Sequence, residues 1–342
     1  MKMLIYLLLI IIPAKSFGTF LESEKNLIDI YKKSVPSVVN LTNIRSVGHP
    51  FFGFIEKIPA GQGSGFVWDN QGHIVTNYHV IEGGEEFQVS FYNDTKSYKA
   101  RVIGSAPSKD IAVLKLEKMP PNLLPIAPGL SKDLQVGQLA IAIGNPFGLD
   151  HSMSTGIISA LGRKIVGVGN VKIHDMIQTD ASINQGNSGG PLLDSSGKLI
   201  GMNTMIYSTS GSSAGLGFAV PVDTITQTVP QLIQHGKIIR PSLGVQILDD
   251  RIKERFFGEK GIAISSVIDG GPADKAGLQG LSQDNRGKIY KGDLILKIND
   301  TEVNSYDDIY HELEKFKVGD KVSVTYKRDE KTKTVEITLQ PL

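Results

Sequence analysis

A chain of 342 residues is long enough for two or three domains, each with its own core, and 36 Lys and Arg against 35 Asp and Glu leave almost no net charge. The opposite charges interleave along the whole sequence, which argues against a basic stripe for nucleic acid. No cysteine is present, so thiol catalysis, Cys-ligated metals and disulfide support are excluded.

Met1-Lys2 precedes an apolar run from Met3 to Ile12, then Pro13 and small residues up to Gly18. The run is shorter than the ~20 residues that cross a bilayer and suits a secretory signal cleaved after Gly18, with a short uncleaved anchor as the alternative. From Glu22 to Lys33, Leu27, Ile28, Ile30 and Tyr31 fall on one face of an amphipathic helix that Pro36 ends. Short strand-like runs follow: Val38–Leu41, Gly65–Trp68, His73–Thr76, Ile111–Lys115 and Leu139–Ile143, parted by Gly, Asn, Asp and Pro turns. They predict an all-β barrel or sandwich. Pro50–Phe54 is an apolar patch on a loop, suited equally to a partner or subunit contact and to a core role.

Gly65–Val75 and Gly190–Ile200 echo each other as strand, Asp-x-x-Gly turn, strand. Tandem barrels would produce such an echo, and so would a shared turn type on its own. A helix end at Gly236, with Pro241 after it, places a domain boundary between Gln231 and Ser242.

Gly186-Asn187-Ser188-Gly189-Gly190-Pro191-Leu192 carries the most chemical information. A serine flanked by glycines can sit exposed on a tight turn, and Gly186 lets a backbone N–H approach a substrate with no side chain in the way. The string also fits the G-x-S-x-G pattern of α/β-hydrolases, but a hairpin rather than a helix follows Ser188. Of seven histidines, His79 alone ends an apolar strand in the first barrel. His73 lies beside a turn, and His151, His174, His235 and His311 have neighbours typical of surface positions. Asp110, just before the apolar run from Ile111, is the candidate acid, with a turn or strand cap as its plainer role.

With the order His79, Asp110, Ser188, the segments Thr76–Val80, Asp110–Lys115, Gly144–Gly148, Thr179–Leu192 and Gly217–Pro221 resemble the motif set of the HtrA/Deg serine proteases. Ser182 and Gln185 stand where that family usually has Ala and Pro. The resemblance implies two six-stranded chymotrypsin-like β-barrels and one PDZ domain: a signal at 1–18, a protease domain at 19–236 and a PDZ domain at 242–342. It further implies acyl transfer, in which Ser188 attacks, His79 carries the proton, Asp110 orients the imidazole, and the Gly186 and Ser188 N–H groups receive the oxyanion. Neither cofactor nor metal is implied. The implied substrates are unfolded proteins of the periplasm, and the implied assembly is a trimer or a multiple of trimers.

In that fold the floor of the primary specificity pocket lies about six residues before the nucleophile, at Ser182. Thr204, Met205 and Ile206 would form the substrate-pairing strand, with Ile206 at the pocket mouth. No carboxylate stands at the floor, so small aliphatic residues are the expected preference.

Ser242–Leu248 resembles the carboxylate-binding loop and groove strand of PDZ domains. The Leu243 and Gly244 N–H groups would take the terminal carboxylate of a peptide, and Val245 to Ile247 would pair with it as an added strand. Ser305 and Asp308 form a capping box for a helix bearing Ile309, Leu313 and Phe316. Leu281–Lys288 is a polar insertion resembling that of plastid Deg proteases.

Overall fold

The structure, a computed structural model, describes residues 20–48, 55–145, 151–166, 172–184, 186–206, 215–258 and 260–341. The expected signal, the aromatic patch at 50–54, Gln185 and the side chains of Met205 and Ile206 lie outside that description. Two compact units divide the chain, the first ending at Lys237 and the second starting at Ile238.

The first unit opens with helix α1 (Glu22–Ser34), which a tight turn containing Pro36 terminates. Six strands follow: β1 (Val38–Gly48), β2 (Ile55–Val67), β3 (His73–Thr76), β4 (Glu86–Phe91), β5 (Ser97–Ala106) and β6 (Ile111–Leu116). They close in the ring order β1-β2-β3-β6-β5-β4. A second set, β7 (Leu139–Gly144), β8 (Ser152–Val166), β9 (Lys172–Thr179), β10 (Pro191–Leu193), β11 (Leu199–Ile206) and β12 (Gly217–Pro221), closes in the corresponding order β7-β8-β9-β12-β11-β10. The mostly β fold with two six-stranded barrels is thus the one the sequence predicts.

Side-chain alternation explains the barrel walls. In β4, Phe87, Val89 and Phe91 point into the core while Glu86, Gln88 and Ser90 are partly exposed, the period of two that a half-buried strand requires. β3 is buried along its whole length. Between β12 and the unit's end runs α3 (Val222–His235), with Val222, Ile225, Val229 and Leu232 buried. This helix leaves the second barrel and packs on β5 and β6 of the first. The approach is close: a β-carbon at Gly104 of β5 would stand 2.6 Å from the Leu232 carbonyl oxygen. Gly236, with φ of +73°, ends the helix in the left-handed conformation that glycine adopts without steric cost.

The echoed segments form the same turn. Asp69 Oδ1 accepts from the backbone N–H groups of Gln71 (2.9 Å) and His73 (3.2 Å), and Asp194 Oδ1 accepts from those of Ser196 (2.8 Å) and Lys198 (3.0 Å). The Asp69 turn, however, joins the second and third strands of its barrel, whereas the Asp194 turn joins the fourth and fifth of the other.

In the second unit a sheet runs in the order Val245–Ile247, Ile262–Val267, Leu294–Ile298, Lys321–Arg328, Lys331–Thr338, which leaves Val245–Ile247 at an edge. Its core joins Leu243, Ile262, Ile264, Ile295, Ile309, Leu313, Val324 and Ile337. The helix Tyr306–Leu313 starts at the expected capping box: Ser305 Oγ accepts from the Asp308 N–H (3.2 Å), and Asp308 Oδ2 accepts from the Ser305 N–H (3.0 Å). Phe316 lies beyond the helix end and packs against the core from the following turn, not from the helix face expected. Directly before the strand Leu294–Ile298, Asp293 is fully buried and accepts from Arg328 Nε (2.6 Å) and Nη2 (2.7 Å).

Candidate active site

Asp110 follows a single tight turn, Pro107–Lys109, and takes φ of +53°, a left-handed conformation that Asp tolerates better than most residues. Two bonds fix its backbone: its N–H donates to the Pro107 carbonyl (3.1 Å), and its carbonyl accepts from Asn77 Nδ2 (3.0 Å). The carboxylate consequently projects toward His79. That histidine lies not at the end of β3, as expected, but two residues past Asn77 on the short helix α2 (Tyr78–Ile81). The helical turn aims both its backbone N–H and its ring at the acid. His79 N–H donates to Asp110 Oδ1 (3.1 Å), and His79 Nδ1 lies 2.9 Å from Oδ2 and 3.1 Å from Oδ1.

An ionised carboxylate only accepts, so Nδ1 is the ring nitrogen that carries a proton toward Asp110, and in the neutral imidazole Nε2 is then the one with a free lone pair. The side chain of Asp110 is 5% exposed and that of His79 is 24% exposed, which shuts the acid away while leaving the imidazole open to the cleft.

Two other histidines have structural partners. His73 Nδ1 lies 2.6 Å from Asp69 Oδ2. His151, expected at the surface, is buried: its Nε2 reaches the Val38 carbonyl (2.8 Å), and Tyr92 meets its ring edge to face at 5.3 Å. Its partner at the start of β1 belongs to the first barrel while β7 and β8 flank it in the second, so the burial comes from contact between the two barrels, which local composition does not reveal.

From the second barrel, Ser188 sits in the turn Gly186–Gly189. Asn187 braces that turn: its Nδ2 donates to the Ser182 carbonyl (3.0 Å), and its Oδ1 accepts from the Asn184 N–H (3.1 Å). Gly186 has φ of +108° and Gly189 +84°, and a β-carbon on Gly189 would stand within contact distance of the Ser64 carbonyl. Among the described residues the N–H groups of Gly186 and Ser188 have no acceptor.

Thr204 joins the two halves. The ladder between β11 and β12 slips between Asn203 and Met205, so Thr204 is the bulged residue. Freed from the ladder, its Oγ1 donates to Asp110 Oδ2, and its carbonyl accepts from Ser188 Oγ (2.7 Å). A continuous path of hydrogen bonds therefore runs from His79 through Asp110 and Thr204 to Ser188. Among the described residues no bond joins Ser188 Oγ directly to His79.

The residues expected to bind substrate are more dispersed. Ser182 is exposed, and its carbonyl accepts from Asn187 Nδ2 and from Ser154 Oγ (2.9 Å). Ile206 pairs with Gly217, where a β-carbon would stand 2.6 Å from the Ile183 side chain. Asp180, two residues before Ser182, accepts from the Ile157 N–H (2.7 Å), which spends it on packing. In the second unit the Gly244 N–H donates to Ser242 Oγ (2.9 Å), while the Gly244 and Leu243 carbonyls accept from the Ile268 (2.9 Å) and Ala273 (2.9 Å) N–H groups.

Sequence reasoning missed two contributions. Thr204 was placed in the substrate strand, yet its hydroxyl rests on the acid. Ser64, on β2 of the first barrel, bonds to the Gly186–Gly189 turn of the second. Its position inside a strand between Gly63 and Gly65 was an available sign of close backbone approach.

Comparison with known proteins agrees with this fold. The family model described as trypsin-like peptidase domain matches residues 63–202, and that described as PDZ domain matches 241–339. The Arabidopsis thaliana protein named Protease Do-like 1, chloroplastic, is 47% identical over 313 residues, 91% of this chain and 71% of the relative. A Brucella suis protein named probable periplasmic serine endoprotease DegP-like is 38% identical over 285 residues, 82% of this chain and 53% of the relative. Among solved structures, an HtrA-type protease, AlgW with decapeptide, aligns with a TM-score of 0.70 at 31% identity, covering 92% of this chain and 98% of that one.

Proposed function

Since the chain belongs to the HtrA/Deg family of serine endopeptidases, we propose that Ser188 is its nucleophile, His79 its general base and Asp110 the carboxylate that orients and stabilises the imidazolium. The observation that carries this reading is the path His79–Asp110–Thr204–Ser188, which links both barrels through one buried acid. Ser188 Oγ attacks the peptide carbonyl, and His79 Nε2 takes its proton and returns it to the leaving amine. The Gly186 and Ser188 N–H groups receive the oxyanion; water then releases the acyl group by the same route.

The bond from Ser188 Oγ to the Thr204 carbonyl favours a chain that is slow until something turns the hydroxyl toward His79. A peptide at the edge strand Val245–Ile247, its terminal carboxylate at Leu243 and Gly244, is the proposed activator. The proposed boundaries are a signal at 1–18, a protease domain at 19–236 and a PDZ domain at 242–342. Substrates are unfolded proteins cut after small aliphatic residues, Ser182 forming the pocket floor and Thr204 to Ile206 the pairing strand. Such residues are buried in folded proteins, which suits quality control of damaged chains. The relatives named above are periplasmic in one case and chloroplastic in the other, and the signal favours export to the periplasm. Assembly as trimers completes the proposal.

In a casein cleavage assay Ser188→Ala is expected to lose about 10⁶-fold in turnover while keeping the wild-type thermal transition. A fluorophosphonate probe should label the wild type, faster with a C-terminal peptide present. Undiminished casein cleavage by Ser188→Ala would overturn the assignment, and a wild type that never labels would leave a peptide-binding protein instead.

A further inference from the structure

Ser64 is fully buried, and each of its polar groups is spent on the reaction centre or its supports. Its N–H donates to the Ser188 carbonyl (2.8 Å), and its Oγ–H donates to the Gly186 carbonyl (2.6 Å). The same Oγ accepts from the N–H of Asn145 at the end of β7 (2.8 Å), and the Ser64 carbonyl accepts from Thr76 Oγ1 (2.7 Å). One hydroxyl hydrogen and one lone pair are thereby both used, which leaves the side chain a single satisfied orientation.

The consequence falls on two residues of the turn. Gly186 and Ser188 bracket the turn whose two N–H groups lack an acceptor among the described residues, and the carbonyls of both are tied to Ser64. Gly186 has no side chain to fix its peptide and adopts φ of +108°, so rotation about its backbone is restrained chiefly by the bond at its carbonyl. A β-carbon at Gly190 would stand 3.2 Å from that of Ser64, so no side chain at that position intervenes.

We infer that Ser64 is a positioning residue for the hydrolytic reaction, a clasp from the first barrel that sets the Gly186 and Ser188 N–H groups for the oxyanion. The inference rests on the assignment of those groups made above. Ser64 touches no substrate; it acts through the turn. Misplacing pre-aimed donors costs rate rather than ground-state binding, because the charge they meet develops only in the transition state.

Ser64→Ala is therefore expected to lower kcat on a peptide substrate about ten- to a hundredfold with KM within about threefold of wild type. Affinity for a peptide boronic acid, whose tetrahedral adduct needs the same donors, should fall by the same factor. Val89→Ala, a cavity in the first barrel away from the cleft, controls for stability and should lower the melting temperature with kcat unchanged. Should Ser64→Ala fail to fold, Ser64→Cys keeps the volume with a poor donor and is expected to show the same split between kcat and KM.

A Ser64→Ala or Ser64→Cys protein with wild-type kcat and boronate affinity would overturn the clasp. Loss of boronate affinity matched by Val89→Ala would reduce it to general stability. A wild type that neither cleaves nor labels would remove the protease assignment and the clasp with it, whereas an active wild type with an unaffected Ser64→Ala would remove the clasp alone.

Discussion

Thr204 carries two tasks through different atoms of one residue. Its hydroxyl satisfies a lone pair of Asp110 that would otherwise be buried without a donor, while its carbonyl holds the Ser188 hydroxyl. Thr204→Val keeps the shape and the carbonyl but removes the donor. A buried carboxylate short of one charge-assisted hydrogen bond loses about 1.5–3 kcal/mol and holds the imidazole less firmly. Thr204→Val is expected to lower kcat about tenfold or more with little change in KM, measured by steady-state cleavage of a small peptide. A kcat equal to that of wild type would mean Asp110 needs no support from the second barrel. None of this was legible from the sequence. The residue types and chain order pointed to the proposed acid, base and nucleophile, but the bulge that turns Thr204 toward Asp110 arises from how β11 and β12 register, a property of the closed barrel rather than of any local string.

The Asp-x-x-Gly turn recurs a third time, outside the barrels, in the polar insertion of the second unit. Asp284 Oδ1 accepts from the Arg286 (2.9 Å) and Lys288 (2.9 Å) N–H groups, and Gly287 takes φ of +81°. The three turns connect non-equivalent strands, so the sequence echo reports turn chemistry and not duplication, although the two barrels do share one ring order. Short-range signals of this kind, like the Ser305 cap and the Gly236 helix stop, were readable because a few neighbouring residues determine them. Burial of His151 was not readable, since its partners lie far away in sequence. Partial burial alone would raise the Asp69 carboxyl, but the side-chain and backbone hydrogen bonds of His73 outweigh it and hold the group below its ordinary range. A carboxyl depressed in the folded state adds stability above its unfolded pKa of ~3.9 and loses it as pH falls through the lower folded value. In acid titrations followed by circular dichroism, Asp69→Asn should weaken the dependence of stability on pH below about pH 4. An unchanged acid limb would count against the turn as its source.

The two units depend on different kinds of interaction. The second rests partly on Asp293, fully buried and held by the guanidinium of Arg328, which also donates to the Gly277 carbonyl (2.6 Å). Removing the cation strands a buried charge, and Arg328→Met is expected to destabilise this unit by about 3–5 kcal/mol. Calorimetry should then resolve an early transition for the second unit while fluorophosphonate labelling persists above it; a single cooperative loss of both would show that the units unfold together.

The first unit has its own seam. Helix α3 is made last, after the second barrel, yet it covers the β5 and β6 wall of the first barrel. A chain emerging from a ribosome or a translocation pore thus cannot seal its earliest barrel until almost the whole first unit has been delivered, and the nascent protein carries no competent hydrolytic cleft while its own unfolded segments are still within reach.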